Sequence, residues 1–175
     1  MTFPSPVAPL TRKQNIWSST SPVWLIKYVP VINEKDADHC SSEIAAAIAG
    51  SNRFAPNYLG MKFVSDHPSD QNGLWLAIWI ERFPFTLKDW PERLNKKETK
   101  QMLDIISIMH SFGVFHCDLH PGNVVLRRSS DGALEIKLID FGLSRFSSSE
   151  HDRNYWGFLD IDILRNNSMK KHLSF

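Results

Sequence analysis

The feature that most constrains the fold is a predicted β-hairpin with a polar segment at each of its two ends. Asn123 to Arg127 and Leu134 to Ile139 are short runs rich in Val, Leu and Ile, a composition that favours strands. Asp131-Gly132 lies between them and favours a tight turn between antiparallel strands. Residues 116–123 enter this hairpin and residues 140–142 leave it. The pattern therefore predicts one hairpin that presents both polar segments.

The first half of the chain is predicted as strand, helix, strand, strand. The strands, predicted at residues 23–29, 61–64 and 74–80, are rich in β-branched and aromatic residues. The helix, predicted at residues 36–49, has an acidic start and an alanine-rich body, and Gly50 follows it as a stop signal.

Two capping patterns predict helix starts in the second half. Thr86 precedes Asp89 by three positions, and Asn95 precedes Glu98 by three positions. In each pair the acid can return a hydrogen bond to the capping residue. The second predicted helix carries an apolar stripe and ends at Gly113. Together with the strands, these helices predict an α+β fold.

Composition limits the class of protein. The 175 residues allow one ordinary core, and 20 basic against 19 acidic residues leave no basic excess for binding nucleic acid. The longest strongly apolar run, residues 74–80, falls far short of the ~20 residues that span a bilayer. Cys40 and Cys117 form no CxxC pair, and the first residues lack a signal-peptide pattern. We therefore expect a cytoplasmic protein with no partner membrane or nucleic acid.

The two polar segments resemble a known pair of motifs. His116-Cys117-Asp118-Leu119-His120-Pro121-Gly122-Asn123 followed by Asp140-Phe141-Gly142 is similar to the catalytic loop and the metal-binding motif of the protein kinase superfamily. The interval from the aspartate to the asparagine is five residues in this chain, as in that family. The resemblance implies a minimal, two-lobed kinase-like fold, with a small N-terminal lobe of strands and one helix at residues 1–82 and a truncated C-terminal lobe at residues 83–175.

The resemblance assigns roles to the residues of these motifs. Asp118 would orient an acceptor hydroxyl and accept its proton, and Asn123 would share the catalytic loop with it. Asn123 and Asp140 would also bind Mg²⁺, which prefers oxygen ligands. The implied cofactors are ATP and Mg²⁺.

Four upstream residues correspond to the ATP-binding positions of the family. Lys27 lies in a predicted apolar strand and would neutralise the α- and β-phosphates, with Glu43 of the predicted helix fixing its ammonium group. Glu81 and Phe83 lie in the segment that resembles the hinge between the lobes. The order of all these positions is kept over residues 22–142.

The sequence also departs from the family pattern. No glycine precedes Gly50, so the glycine-rich loop that covers the ATP phosphates is missing. Cys117 stands where an arginine usually precedes the catalytic aspartate, and His120 stands where protein kinases carry lysine. Only 33 residues follow Gly142, without the Ala-Pro-Glu motif. Most of the lobe that binds peptide substrates is therefore expected to be absent.

These observations predict an atypical kinase: an ATP- and Mg²⁺-dependent phosphotransferase, with Ser/Thr of a protein as the expected acceptor. Two alternatives stay open. His120 favours a small-molecule kinase of the aminoglycoside or choline type, whereas the missing glycine loop favours a pseudokinase that acts as a binding module. The short second lobe predicts that a protein substrate or an accessory protein docks on the C-terminal lobe.

Overall fold

A computed structural model describes residues 3–11, 16–65, 67 and 73–174 of the chain. The strands are β1 (Pro6–Thr11), β2 (Ile16–Ser19), β3 (Trp24–Pro30), β4 (Tyr58–Val64), β5 (Trp75–Glu81), β6 (Phe85–Thr86), β7 (Val114–Phe115), β8 (Val124–Arg128), β9 (Leu134–Leu138) and β10 (Arg145–Phe146). The helices are α1 (Glu34–Gly50), α2 (Lys96–Ser111), α3 (Glu150–Arg165) and α4 (Asn167–Lys170). The predicted α+β class is confirmed.

The first five strands form one antiparallel sheet in the order β1-β2-β3-β5-β4. Successive residues of a strand point to opposite faces, and two apolar clusters follow from this alternation. Ile26 of β3 packs in a cluster with Trp79 of β5, whereas Val29 packs with Leu76 and with Cys40 of α1. Helix α1 therefore covers one face of the sheet, and Lys27 lies on that same face because it alternates with Ile26.

The largest core lies among the later elements. Met102, Ile106 and Met109 project from one side of α2 and are fully or almost fully buried, as the apolar stripe predicts. They share a cluster with Leu126 of β8 and with residues of β9, α3 and α4. The predicted hairpin is confirmed as β8 and β9, which pair in register from Val124 with Leu138 onward. The C-terminal end of this hairpin leads directly to Asp140.

The predicted helix start at Thr86 is wrong. Thr86 belongs to β6 and pairs with Val125 of β8. The capping hydrogen bonds do form, with the Thr86 hydroxyl 2.7 Å from a carboxylate oxygen of Asp89 and accepting from the Asp89 amide at 3.3 Å. Pro91 follows two residues after Asp89, and proline within the next turn prevents helix propagation. The same pattern at Asn95 does start α2, with both hydrogen bonds of a capping box.

Strands β1 and β2 were not predicted from the proline-rich amino terminus. Residues 12–15, which connect them, lie outside the described part of the chain. No helix of the described ranges is both long and apolar enough to span a membrane. The predicted boundary between lobes at residues 82 and 83 stays a prediction; the segment from 82 to 84 connects the five-stranded sheet to β6.

Candidate active site

Asp160 of α3 anchors the first residues of the segment from His116 to Asn123. One Asp160 carboxylate oxygen accepts from the amide of His116 at 2.8 Å, and the other accepts from the amide of Cys117 at 2.9 Å. His110 of α2 lies 3.0 Å from the same carboxylate. Asp160 is fully buried. Its hydrogen bonds to the loop are therefore strong, because the effective dielectric constant is low in the protein interior. The sequence signal for this role is a pair of acids, Asp160 and Asp162, within an apolar helical segment.

Asp118 and Asn123 lie side by side at the two ends of the loop. The Asn123 side-chain amide donates to the Asp118 carbonyl at 3.0 Å and lies 3.4 Å from a carboxylate oxygen of Asp118. Asn123 is fully buried, and its Oδ1 has no hydrogen-bond partner among the described residues. A buried amide oxygen without a partner is costly, which makes it a ready ligand for a cation. The loop thus brings together the two side chains that the resemblance assigns to it.

Lys27, Glu43 and Asp140 converge from three elements. The Lys27 ammonium forms an ion pair with the Glu43 carboxylate and a second one, at 2.7 Å, with Asp140 Oδ1. Lys27 and Glu43 are largely buried, whereas the Asp140 side chain is 40% exposed. Asp140 follows β9 and lies 113 residues after Lys27 in the sequence. The predicted upstream pair and the predicted metal ligand therefore form one charged cluster.

The pKa values in this cluster follow from burial and charge. Burial lowers the pKa of Lys27, but the carboxylates of Glu43 and Asp140 outweigh burial and raise it. Burial raises the pKa of Asp140, but the Lys27 ammonium outweighs burial and lowers it. Burial raises the pKa of Glu43 as well, with Lys27 opposing. Lys27 is therefore charged at neutral pH, and Asp140 is an ionised carboxylate that can bind a cation.

Two site residues have a backbone conformation that is uncommon outside glycine. Cys117 has φ 61° and Asp140 has φ 68°. The left-handed region is tolerated by aspartate but is costly for most side chains. The Asp160 hydrogen bond to the Cys117 amide offsets part of this cost. Cys117 directly precedes Asp118, and Asp140 is the first residue of the Asp-Phe-Gly motif. The backbone strain at these two positions is therefore concentrated at the site.

The structure does not bring Glu81 and Phe83 into this cluster. One Glu81 carboxylate oxygen pairs with Arg127 at 2.5 Å, and the other accepts from the Asn57 side chain at 2.9 Å. Phe83 lies under the Arg127 guanidinium, 4.6 Å from its central carbon. Neither residue lines the cavity that Lys27, Glu43 and Asp140 border. Their part in ATP binding stays a prediction.

The donor set fits a magnesium ion better than a softer metal. Asn123 Oδ1 and the Asp140 carboxylate are oxygen ligands, which Mg²⁺ prefers. Within the described ranges, no group of three or more His, Cys, Asp or Glu side chains could hold a metal ion. A site of this kind leaves most positions around the ion to water and to substrate phosphates, as is usual for Mg²⁺.

Comparison with known proteins finds a family match within the chain. The family model of the protein kinase domain matches residues 75–159, a range that includes Asp118, Asn123 and Asp140 but neither Lys27 nor Glu43. The chain is 44% identical over 55 residues to the probable serine/threonine-protein kinase fhkA of Dictyostelium discoideum, covering 31% of this chain and 9% of that protein. It is 39% identical over 72 residues to the serine/threonine-protein kinase ksp1 of Schizosaccharomyces pombe, covering 41% of this chain and 15% of that protein.

A third relative is the putative cyclin-dependent kinase F-2 of Oryza sativa, 37% identical over 62 residues, which cover 35% of this chain and 18% of that protein. Each alignment thus spans less than a fifth of the relative. The region matched by the family model contains the catalytic-loop motif, the hairpin and the Asp-Phe-Gly motif, and it ends one residue before Asp160. These matches therefore support membership of the protein kinase superfamily, with part of its domain at residues 75–159.

Proposed function

We propose that this chain is an ATP- and Mg²⁺-dependent protein kinase that phosphorylates serine or threonine. The observation that carries the proposal is the convergence of Lys27, Glu43 and Asp140. Asn123, whose Oδ1 has no partner among the described residues, is joined to the residue before Asp140, because the Ile139 amide donates to the Asn123 carbonyl at 3.0 Å. Phosphoryl transfer needs cationic and metal-binding groups around the phosphates and a carboxylate at the acceptor. Several of the relatives are named serine/threonine kinases, which supports the acceptor class.

Each residue has a physical role in this proposal. Lys27 would neutralise the α- and β-phosphates of ATP, and the ion pair with Glu43 holds its ammonium group in place. Asn123 and Asp140 would hold Mg²⁺, which supplies neutralisation of the developing charge on the phosphates when it is bound. In a site bounded by buried groups these interactions are stronger than in water.

Asp118 would serve the acceptor. Its side chain is 43% exposed, so an incoming hydroxyl can reach it. The acceptor oxygen forms a bond to the γ-phosphorus while the bond to the β–γ bridging oxygen breaks and ADP leaves. The hydroxyl proton passes to the Asp118 carboxylate. The bond from Asn123 to the Asp118 carbonyl keeps the carboxylate beside the metal-binding residues.

A binding module without catalysis is the second candidate function. The cavity bordered by Lys27, Glu43 and Asp140 has a volume of about 50 Å³, well below the roughly 300 Å³ at which ligand pockets begin. The sequence also lacks glycine before Gly50. ATP therefore requires the sheet and the hairpin to separate, and a chain that cannot open in this way would act only through its surface.

The substitution Asp118→Asn tests the catalytic assignment. We expect MgATP to bind within about threefold of the wild-type affinity, because Asp118 makes no contact with the Lys27 cluster. Transfer from γ-labelled ATP should fall by about 10²–10⁴-fold, the usual contribution of a general base. The acceptors are a protein extract and a panel of small alcohols, which separates the protein kinase from a small-molecule kinase.

Asp104→Asn is the matched control, because Asp104 is exposed on α2 and pairs only with Lys100 among the described residues. It should keep full transfer. Undiminished transfer by Asp118→Asn contradicts the assignment, and the absence of transfer by the wild-type chain with every acceptor favours the binding module.

We also propose a cytoplasmic location. Cys40 and Cys117 are both free thiols, and free thiols persist in a reducing compartment. Imaging of the tagged protein in cells tests this, and a secreted or organellar signal contradicts it.

A further inference from the structure

A second, larger cavity lies on the other side of the catalytic loop. Its volume is about 520 Å³, within the usual range for ligand pockets. It lies between the turn after β6, the end of the catalytic loop and α4. Its ionisable wall residues are Lys88, Asp89, His120, Lys171 and His172. We call this cavity the basic pocket.

The lysines and the carboxylate in the wall of the basic pocket differ in whether they already have a partner. Lys88 and Lys171 form no ion pair within the described residues, and both are exposed. Asp89 is the one carboxylate in the wall, and the Thr86 hydroxyl already lies 2.7 Å from it. Two ammonium groups thus face a single, hydrogen-bonded carboxylate. Burial and the nearby Lys171 lower the pKa of His172, so its imidazole adds a polar group but not a charge to the wall. An excess of unpaired cations along a concave wall attracts anions.

His120 connects the basic pocket to the catalytic loop. Its Nδ1 accepts a hydrogen bond from the Gly122 amide at 3.0 Å, so in the neutral ring the proton is on Nε2. Nε2 lies 3.9 Å from a carboxylate oxygen of Asp118. The His120 imidazole therefore lies between the proposed acceptor position at Asp118 and the basic pocket. A group in the pocket lies about one side chain away from a hydroxyl at Asp118.

We propose that the basic pocket binds an anionic side chain of the acceptor substrate, next in sequence or nearly so to the serine or threonine that is phosphorylated. The inference rests on the proposed function, since it takes Asp118 as the acceptor position. The anion is a carboxylate or a phosphate, which share the same recognition by ammonium groups and by imidazole N–H donors. The substrate class is therefore an acidic segment of a protein.

The expected preference is moderate because the two lysines are exposed. An exposed ion pair changes binding by up to about fivefold, so two lysines together should give a preference on the order of tenfold. Screening by salt should reduce it, because charges at the surface are screened over roughly 10 Å at 0.1 M ionic strength.

The test is binding of labelled serine peptides to the full chain, measured by fluorescence anisotropy without ATP. One peptide carries three glutamates after the serine, a second carries three glutamines there, and a third carries phosphoserines. The pocket variant is Lys88→Gln with Lys171→Gln. The matched control is Lys96→Gln with Lys170→Gln, which removes the same charge from exposed lysines outside the pocket.

We expect the wild-type chain and the control variant to bind the glutamate peptide about tenfold more tightly than the glutamine peptide, and the pocket variant to lose this preference. Tighter binding of the phosphoserine peptide than of the glutamate peptide supports the proposal with phosphate as the anion, and the reverse order supports it with carboxylate. Equal binding of glutamate and glutamine peptides, no binding at millimolar concentration, or an equal loss in the control variant overturns it.

The same peptides separate this inference from the proposed function. A chain that prefers acidic peptides but transfers no phosphate keeps the basic pocket and contradicts the kinase proposal. A chain that phosphorylates glutamate and glutamine peptides with equal kcat/KM keeps the kinase proposal and contradicts the basic pocket.

Discussion

The residues around Cys117 determine its backbone conformation and the pKa of its thiol. It directly precedes Asp118, has a left-handed backbone, and donates its amide to Asp160. Burial, with a further contribution from the Asp160 carboxylate, raises the pKa of its thiol to about 11. A thiol is nucleophilic only as the thiolate. Cys117 is therefore a partly buried and unreactive group.

Alkylation by iodoacetamide tests whether the Cys117 thiol is unreactive. At pH 8 a thiol of pKa about 11 is ~0.1% thiolate, whereas an ordinary thiol near 8.5 is roughly 25% thiolate. We expect Cys117 in the folded chain to react at least about 100-fold more slowly than in the urea-unfolded chain. The rate should rise about tenfold per pH unit between pH 8 and 10, because the thiolate fraction rises with pH below the pKa.

The variant Cys40→Ala isolates Cys117 in this measurement, since these are the two cysteines of the chain. Equal rates in the folded and unfolded chain at pH 8 would show that the thiol is activated and not packed.

At the scale of elements, the end of α2 depends on one glycine. Gly113 follows the last turn of α2 with φ 70°, and a Cβ at this position would collide with the carbonyl oxygen of Ser147. Gly113 and Ser147 are also joined by a backbone hydrogen bond of 2.9 Å. This contact connects α2 to the segment after β10. Gly132, in the β8–β9 turn, has φ 82° and no atom near the position of a Cβ.

The pair of glycines gives a prediction with an internal control. Gly132→Ala should lower the free energy of unfolding by about 1–2 kcal/mol, the cost of a left-handed alanine. Gly113→Ala should lower it by a further ~1–3 kcal/mol, because the methyl group also forces the backbone at Ser147 to move. Urea unfolding of both variants measures the difference, and equal losses would contradict the packing of α2 against the segment after β10.

At the scale of the whole molecule, the charged cluster joins the five-stranded sheet, α1 and the hairpin. A ligand bound there should stabilise all three together. At about 100 times its dissociation constant, MgATP adds about 2.7 kcal/mol to the free energy of unfolding. For a chain of this size, this increase raises Tm by roughly 5 to 10 °C. The shift should disappear with EDTA and in Asp140→Asn, because one anionic metal ligand is lost. Calorimetry with millimolar MgATP is the measurement.

Asp104→Asn should keep the full shift. An unchanged melting curve of the wild-type chain at millimolar MgATP contradicts nucleotide binding and favours the binding module.

The surface of α3 bears on the predicted docking of a protein. Tyr155, Phe158 and Ile161 are 56%, 61% and 43% exposed, whereas Leu164 is 1% exposed and closes the core. Exposed apolar side chains on one helix are a common feature of protein contacts. We propose that a folded protein acceptor docks on these three side chains while Asp118 serves its hydroxyl.

Phosphate incorporation into a native protein extract, compared with its tryptic digest, tests this docking. Phe158→Glu should lower incorporation into the native proteins at least about tenfold and leave incorporation into the peptides unchanged, because a buried charge opposes docking. Ser130→Glu, an exposed change in the hairpin turn, should affect neither. The Asp118→Asn chain gives the background of the extract. Equal effects of Phe158→Glu on proteins and peptides would contradict docking.

The sequence by itself determined the local parts of this protein. The hairpin and the capping box at Asn95 were predictable, because each depends on residues a few positions apart. The strand that carries Lys27 and the helix that carries Glu43 were predictable from composition. The pairing of these two residues with each other and with Asp140 came from the resemblance to a family, since no local pattern specifies a contact across 113 residues.

Only the tertiary structure decided the remaining features. Thr86 has the pattern of a helix cap but joins a strand, because pairing with Val125 and the nearby Pro91 outweigh the local preference. The Glu81 carboxylate faces Arg127 and Asn57, and Asp160 holds the catalytic loop, through contacts that the chain creates only when distant segments meet. Local sequence fixes backbone conformation over one turn or one hairpin, whereas the partner of a buried charge depends on which elements pack together.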